Sequence, residues 1–194
     1  MDVLDVALLV AGALDRAGVP YFLGGSLASS LQGDPRATND IDLVVDLPEE
    51  RVGSLLAALG PDFDADEVAL RRVARERTSW NVIHQPTVTK IDLFVLRDAP
   101  FDRSEFVRRE RVPVRASQSL WVKRADDTVL RKLLWYRAGG EVSDRQWRDV
   151  VEVLRHSRAQ IDDSYLNEWA ASLGLEALLA RARREAGQTG GGPA

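Results

Sequence analysis

The stretch GGSLASSLQGDPRATNDIDLVV, residues 24–45, contains a glycine-rich turn, a helical segment and an apolar run interrupted by two aspartates. Asp40 and Asp42 are separated by one residue, so in a β-strand both side chains point to one side, while Ile41 and Leu43 face the opposite layer. Two carboxylates this close repel each other and raise the pKa of one of them. A cation between them makes the pair tolerable, and hard oxygen ligands of this kind suit Mg²⁺.

A third carboxylate follows in the stretch TKIDLFVL, where Asp92 interrupts another apolar strand. Lys90 precedes Asp92 by two residues and therefore shares its face of the strand. Three carboxylates on adjacent strands, with a lysine beside one of them, form the arrangement of a two-metal site for in-line phosphoryl or nucleotidyl transfer. The sequence therefore predicts a catalytic metal site at Asp40, Asp42 and Asp92. For Lys90, a charged residue that protects a sheet edge from aggregation is an equally simple interpretation.

The glycines at the start of the stretch predict a phosphate-binding turn. Gly24, Gly25 and Ser26 lie where a strand turns into a helix. Without Cβ atoms the backbone can approach a polyphosphate, and the helix N-terminus offers free N–H donors together with its dipole. A tight turn with a serine N-cap explains these three residues alone. Their combination with two carboxylate-bearing strands favours a catalytic site.

The periodicity of the apolar residues predicts the fold class. Up to about residue 115, helical segments alternate with short apolar strands, and the later part is helical almost throughout. We expect an α/β (α+β) protein in which a small mixed β-sheet flanked by helices is followed by a C-terminal helical region. The predicted divisions are a core at 1–115, a helical region at 116–186 and a disordered glycine-rich tail at 187–194.

Individual elements are predicted from apolar spacing and from capping signals. Predicted strands cover 21–24, 40–45, 79–84, 90–96 and 111–114. Predicted helices cover 3–17, 26–32, 49–59, 66–76, 163–173 and 175–185. Two further helices are expected in the second part, one capped by Asp126 or Asp127 and ending at Ala138, the other starting at Ser143.

Composition narrows the class of protein. The chain has 194 residues, 45% of them hydrophobic, which is enough for a substantial core, and it contains no cysteine for a disulfide or a thiolate metal site. The first residues lack the basic region of a signal peptide, and no apolar run approaches the roughly 20 residues of a membrane span. We therefore expect a cytoplasmic protein without a membrane partner. The net charge of −4 argues against a dedicated nucleic-acid binder, although a local basic face remains open.

The motifs GGS at 24–26, RATNDIDL at 36–43 and KID at 90–92 resemble the signature of the DNA polymerase beta-like nucleotidyltransferase superfamily. Within it, the chain most resembles the AbiEii-type nucleotidyl transferase toxins of type IV toxin-antitoxin systems. The resemblance implies the polymerase beta-like nucleotidyltransferase fold, a triphosphate held by the Gly-Ser turn, and divalent ions, Mg²⁺ or Mn²⁺, held by the carboxylates. By the same resemblance, Asp40 and Asp42 bind the metals, and Asp92 binds one metal and helps to deprotonate the acceptor hydroxyl.

Four further residues are candidates for nucleotide binding, one from the resemblance and three from their positions. Lys132 resembles a helical lysine that approaches the triphosphate, and Lys90 is placed to neutralise charge on the triphosphate or the acceptor. Arg36 and Thr38 lie in the loop before the metal strand, where they are placed to touch phosphate or base, although turn chemistry explains them equally well. For Asp149, a structural salt bridge is the simpler interpretation.

The implied reaction is attack of an acceptor hydroxyl on the α-phosphorus of a nucleoside triphosphate (NTP). RNA such as tRNA is the implied acceptor, and a cognate antitoxin protein is an implied partner. One alternative is nucleotidylation of a small molecule or a protein. Another is a noncatalytic regulatory partner, which the desolvation of three buried carboxylates argues against.

Other polar and aromatic residues have simpler interpretations. One arginine cluster covers residues 71–77 and a second covers residues 103–115, and such clusters can track an RNA backbone. Solvated faces paired with nearby glutamates explain them more simply. His84 and His156 lack partners at metal-ligand spacing, and Trp147 and Trp169 are interpreted as core aromatics.

Overall fold

The computed structural model describes residues 1–35 and 37–188, and the chain divides into two compact units. Unit 1 comprises Met1–Leu27 and Ala37–Lys123, and unit 2 comprises Ala28–Arg36 and Arg124–Ala194. The boundary expected after residue 115 thus lies inside unit 1. Most of the expected tail, at 189–194, lies outside the described residues, while residues 187 and 188 still belong to a helix.

The described part of unit 1 contains a seven-stranded sheet in the order β3-β4-β5-β2-β1-β7-β6. Its strands are β1 Tyr21–Leu23, β2 Asp40–Val45, β3 Phe63–Asp64, β4 Ser79–His84, β5 Thr89–Val95, β6 Glu110–Arg115 and β7 Gln118–Val122. β2 is antiparallel to β1 and parallel to β5, and β1 is parallel to β7. This mixed sheet, flanked by helices, confirms the predicted fold class.

The helices of unit 1 are α1 Val3–Ala17, the first turn of α2 Gly25–Gln32, α3 Val52–Leu59, α4 Glu67–Glu76 and α5 Pro100–Arg108. α1 shows why the sequence forms these elements: Val6, Val10 and Leu14 recur at helical spacing and are buried. Asp2 caps its N-terminus in a capping box, and Gly18 ends it in the left-handed conformation.

Two central strands separate apolar from polar side chains. Ile41 and Leu43 on β2 and Ile91 and Leu93 on β5 are at most 1% exposed. The residues between them alternate to the other face of the sheet. The apolar face anchors the sheet in the core, and the opposite face carries Asp40, Asp42, Lys90 and Asp92 at one end and the pair Val44 and Phe94 at the other.

Unit 2 is built from helices: the later part of α2, then α6 Ala125–Ala138, α7 Asp144–His156, α8 Asp163–Leu173 and α9 Glu176–Gln188. Leu130, Leu133 and Val150 form part of its core and are fully buried. Trp147, 8% exposed, packs against the ring of Tyr136 at 5.1 Å, which confirms it as a core aromatic.

Three elements of unit 1 were not predicted from the sequence, namely β3, α5 and β7. α5 begins with Pro100 in its first turn, and its buried face includes Asp102 and Glu105 beside two phenylalanines. A helix that buries charged side chains lacks the apolar stripe from which helices are predicted. β7 buries Leu120 and Val122 in a short strand, inside the segment assigned to the helical region.

The prediction that Asp126 or Asp127 caps α6 is wrong. The N-cap is Arg124, which makes no side-chain capping bond, and both aspartates lie fully buried in the first turn. The Asp127 carboxylate accepts a hydrogen bond from the Tyr165 hydroxyl at 2.6 Å, and the Asp126 carboxylate lies 3.6 Å from the Arg124 guanidinium. Ser143, in contrast, caps α7 as predicted.

Candidate active site

The pairing of β2 with β5 places Asp42 directly beside Asp92. The two strands are parallel and in register, with Asp40 opposite Lys90 and Asp42 opposite Asp92. Register partners on neighbouring strands point to the same face, so the carboxylates lie on the polar side of the sheet. The two aspartates expected to share a site, fifty residues apart in sequence, are therefore neighbours in the structure.

Asp42 lies inside the glycine turn that precedes α2. Gly24 donates its N–H to the Asp42 carbonyl oxygen at 2.8 Å, and the Ser26 backbone N–H donates to the Asp42 carboxylate. Gly25 has φ +58°, and a Cβ atom placed on it would lie 1.7 Å from Asp42 Oδ2. Only a residue without a side chain fits here, because the carboxylate occupies the space that a Cβ would take.

Burial and neighbouring charge raise the pKa of Asp42. Desolvation is the largest cause, followed by the negative charge of Asp92, and Asp40 adds a smaller contribution. The charge of Lys123 and the hydrogen bond from Ser26 act in the opposite direction. Together these effects destabilise the charged form of the Asp42 carboxylate. A bound cation would offset this destabilisation, as expected of a site that binds a cation.

Lys90 contacts the same cluster from β5. Its Nζ donates to Asp92 Oδ2 at 2.9 Å, and this hydrogen bond with the charges of the three aspartates raises the pKa of Lys90. β5 lies between β4 and β2 and is not an edge strand. The interpretation of Lys90 as a charged residue that protects a sheet edge from aggregation is therefore wrong. The Lys90 side chain is 45% exposed, and its ammonium contacts the carboxylate cluster through Asp92.

The donor set fits a hard divalent cation. Asp42 and Asp92 offer two adjacent, partly buried carboxylates whose mutual repulsion a cation would relieve, while Asp40 is exposed and lies two residues earlier on β2. Within residues 1–35 and 37–188, no three His, Cys, Asp or Glu side chains converge into a preassembled metal site. Mg²⁺ is commonly held by one or two carboxylates and completed by substrate phosphates, and this arrangement matches that pattern.

Two residues at the site were not anticipated from the sequence. Asn81 on β4 is the register partner of Asp92, which extends the polar row across three strands. Lys123 follows β7, and its ammonium lies near Gly24 and acts on Asp42. Asn81 interrupts a predicted strand with a polar side chain, which is the same sequence signal that identified Asp92. Lys123 has no such signal, because it reaches the site only through the pairing of β7 with β1.

For two of the predicted nucleotide-binding residues, Lys132 and Arg36, the expected role stays a prediction. Lys132 belongs to unit 2, where its buried Nζ donates to Asp149 at 2.7 Å and to Gln146 at 3.2 Å. This contact confirms the salt-bridge interpretation of Asp149, and a role for Lys132 at the triphosphate stays a prediction. Arg36 lies outside the described residues, so its expected role also stays a prediction.

Three arginines of the first cluster and His84 have local partners. In the first arginine cluster, Arg71 pairs with Glu67 at 2.7 Å, Arg75 with Glu49 at 2.6 Å and Arg77 with Asp98 at 3.3 Å. Paired, solvated faces therefore explain this cluster. His84 is buried with its Nδ1 2.7 Å from the Thr87 hydroxyl, as expected of a structural residue.

Comparisons with known proteins show the fold that this site belongs to. No protein-family model and no curated protein sequence matches the chain. The antibiotic-resistance factor ANT(2'')-Ia in solution is similar, with a TM-score of 0.56 and 17% identity over 95% of this chain and 98% of its own. The structure of ANT(2'')-Ia in complex with adenylyl-2''-tobramycin is similar with a TM-score of 0.51 and 16% identity, over 94% of this chain and 97% of its own.

A further similar structure is an antigenic nucleotidyltransferase-like protein from Paracoccidioides brasiliensis, with a TM-score of 0.52 and 17% identity over 95% of this chain and 93% of its own. Together these likenesses show that the chain has a nucleotidyltransferase fold. In the part of the chain that the structure describes, no helix is long and apolar enough to cross a membrane.

Proposed function

We propose that the protein is a metal-dependent nucleotidyltransferase that moves a nucleoside monophosphate from an NTP to an acceptor hydroxyl. The observation that carries the proposal is Asp42, lodged in the Gly24–Ser26 turn and set beside Asp92. A noncatalytic domain would gain nothing from two partly buried like charges at this place, because desolvation and repulsion both oppose folding. This argues against the alternative of a regulatory partner that merely keeps the fold.

The metal ligands in this proposal are Asp42 and Asp92, joined by Asp40, and the ion is Mg²⁺ or Mn²⁺. Such an ion, when bound, neutralises charge on the triphosphate and on the leaving pyrophosphate. The protein supplies the positions of the carboxylates, which the paired strands fix. Oxygen donors without sulfur or imidazole are consistent with this choice of cation.

The remaining residues would position the nucleotide and the acceptor. The backbone at Gly24 and Gly25 and the start of α2 lie next to Asp42, where N–H groups and the helix dipole favour phosphate. Asp92 takes the proton of the acceptor hydroxyl, whose oxygen then bonds to the α-phosphorus as the bond to pyrophosphate breaks. Lys90 would leave its contact with Asp92 and neutralise charge on the substrates.

The resemblance to AbiEii-type toxins implies RNA, such as tRNA, as the acceptor. It also implies a cytoplasmic protein whose activity is inhibited by an antitoxin. A small hydroxylated molecule is the second candidate, and two observations favour it. The similar structure of ANT(2'')-Ia contains adenylyl-2''-tobramycin. In addition, three of the four arginines of the first cluster, which would track an RNA backbone, pair with carboxylates: Arg71, Arg75 and Arg77.

The proposed reaction is tested by label transfer. The purified protein is incubated with Mg²⁺ and each of the four α-³²P-labelled ribonucleoside triphosphates, with total RNA in one series and tobramycin in another. We expect label in an RNA band or in the aminoglycoside with one preferred nucleotide, and none with the Asp42→Asn variant. Label that depends on Asp42 identifies both nucleotide and acceptor class, and label retained by the variant would contradict the assigned site.

Nucleotide binding should stabilise the fold. At a ligand concentration of 100 times Kd, we expect Mg²⁺ with the preferred NTP to add about 2.7 kcal/mol to the free energy of unfolding. The melting temperature, followed by circular dichroism, should therefore rise by several degrees. The matched samples contain NTP with EDTA and Mg²⁺ without NTP. A melting temperature that no NTP changes at millimolar concentration would count against a nucleotide site.

A further inference from the structure

A buried lysine lies beside the candidate site, and the proposed reaction does not use it. The side chain of Lys123 is 4% exposed, and its Nζ lies 3.7 Å from Oε1 of Glu105, which is equally buried. Lysine is almost never fully buried without a partner, because burial of its charge is unfavourable. The ion pair connects the end of β7 with α5, two elements that the apolar pattern did not predict.

The position of Lys123 relates it to the glycine turn. Its backbone N–H donates to the Leu23 carbonyl at 3.3 Å, immediately before Gly24. Its Cε and Nζ both lie 3.8 Å from the point where a Cβ on Gly24 would be. The ammonium also lies 5.9 Å from the centre of the Phe22 ring. It is therefore packed next to Gly24 in the turn that encloses Asp42, and its charge acts on Asp42.

The site thus contains two lysines with different surroundings. Lys90 is 45% exposed and contacts Asp92, so its ammonium can exchange that contact for a substrate group. Lys123 is fixed by burial and by Glu105. A fixed ammonium beside Asp42 opposes the repulsion among the three aspartates and adds positive potential where a triphosphate would lie.

We propose that Lys123, held by Glu105, is a positioning residue that keeps the Gly24–Ser26 turn and Asp42 in place for the triphosphate and supplies the fixed positive charge of the nucleotide site. The inference rests on the proposed function, which it deepens by assigning nucleotide affinity to a residue outside the sequence motifs. A purely structural pair would be replaceable by apolar side chains without effect on nucleotide binding, since buried ion pairs often are replaceable in this way.

The experiment compares NTP affinity, measured by isothermal titration calorimetry with Mg²⁺, across matched variants of the full chain. Lys123→Met keeps the length of the side chain and removes its charge, and Lys123→Arg keeps the charge. The double variant Lys123→Met/Glu105→Leu removes both charges, so that no unpaired carboxylate stays buried. Arg115→Met, which removes a surface charge paired with Asp2 and Asp5, controls for net charge.

We expect Lys123→Met and the double variant to weaken NTP affinity about 10- to 100-fold, the range seen when groups that orient metal ligands are removed. KM for the NTP should rise by a similar factor with a smaller fall in kcat, whereas Lys123→Arg should recover most of the affinity and Arg115→Met should keep it. A folded double variant that binds NTP like the wild type would overturn this inference alone. A wild type that binds no NTP would overturn the proposed function as well.

Discussion

Replacing Asp42 by asparagine should abolish nucleotidyl transfer and leave the protein folded. Asparagine keeps the size of the side chain but removes the charge that would hold the divalent ion between β2 and β5. Since such an ion contributes several kcal/mol of transition-state stabilisation, we expect kcat/KM to fall by at least about 10³-fold. The measurement is transfer of α-labelled nucleotide under the conditions that give turnover with the wild type.

The same substitution should not lower the melting temperature of the metal-free protein. The folded-state pKa of Asp42 is raised above 3.8, so the native state binds its proton more tightly than the unfolded chain does. The free energy of unfolding therefore falls as the pH rises from the pKa of Asp42 in the unfolded chain through its higher pKa in the folded protein. At pH 7 the charge on Asp42 destabilises the fold. The asparagine side chain of the variant carries no such charge and relieves the repulsion with Asp92.

Asp46 provides a matched control for this experiment. It follows β2 directly and its side chain is 41% exposed, 3.8 Å from Arg103. Asp46→Asn removes one carboxylate at the end of the same strand but outside the cluster, so activity and melting temperature should stay near wild type. Transfer that survives in Asp42→Asn, or that is lost equally in both variants, would contradict the assignment of Asp42.

Replacing Gly25 by alanine should disrupt the site by a different route. The residue has φ +58°, and its new Cβ would lie 1.7 Å from Asp42 Oδ2 and 2.4 Å from Asp42 Cγ. The backbone conformation alone costs roughly 1–3 kcal/mol for a residue with a side chain, and the overlap must also move either the turn or the carboxylate. A displacement of about 1 Å at reacting groups costs about 10²-fold in rate, so we expect at least this loss of kcat/KM and a lower melting temperature.

Gly18→Ala separates the two causes. Gly18 ends α1 with φ +65°, and an added Cβ would meet only an ordinary contact at 3.7 Å from Arg51. This variant therefore carries the backbone strain without the overlap, and it should lose some stability but keep its activity. If Gly25→Ala and Gly18→Ala lose stability and activity to the same extent, Asp42 does not occupy the glycine turn as described.

Local patterns predicted a large part of the site. The alternation in DIDLVV and TKIDLFV predicted strands in which Ile41, Leu43, Ile91 and Leu93 are now seen buried, and the aspartates face the other side. Because alternation has a period of two, it assigns each carboxylate to a face without any knowledge of the partner strand. The glycine motif likewise predicted a strand, a turn and a helix in the order observed.

Other features depend on contacts between distant segments. α5 buries Asp102 and Glu105, and these positions become favourable only through partners such as Arg97 and Lys123. The unit boundary lies after β7 and not at residue 115, because Gln118–Val122 completes a sheet that begins a hundred residues earlier. Pairings of this kind leave no periodic signal in the segment itself.

The amino-acid sequence by itself determined the strands and helices around the motifs, the residue types at the site and the face on which each aspartate lies. These properties follow from nearest-neighbour geometry, in which side chains alternate along a strand and recur along a helix. Only the tertiary structure decided that Asp42 lies beside Asp92 in register, that its carboxylate fills the space over Gly25, and that the Lys123 side chain lies next to Gly24. Strand register and long-range packing depend on contacts among many segments at once. The energy of one segment by itself does not determine them.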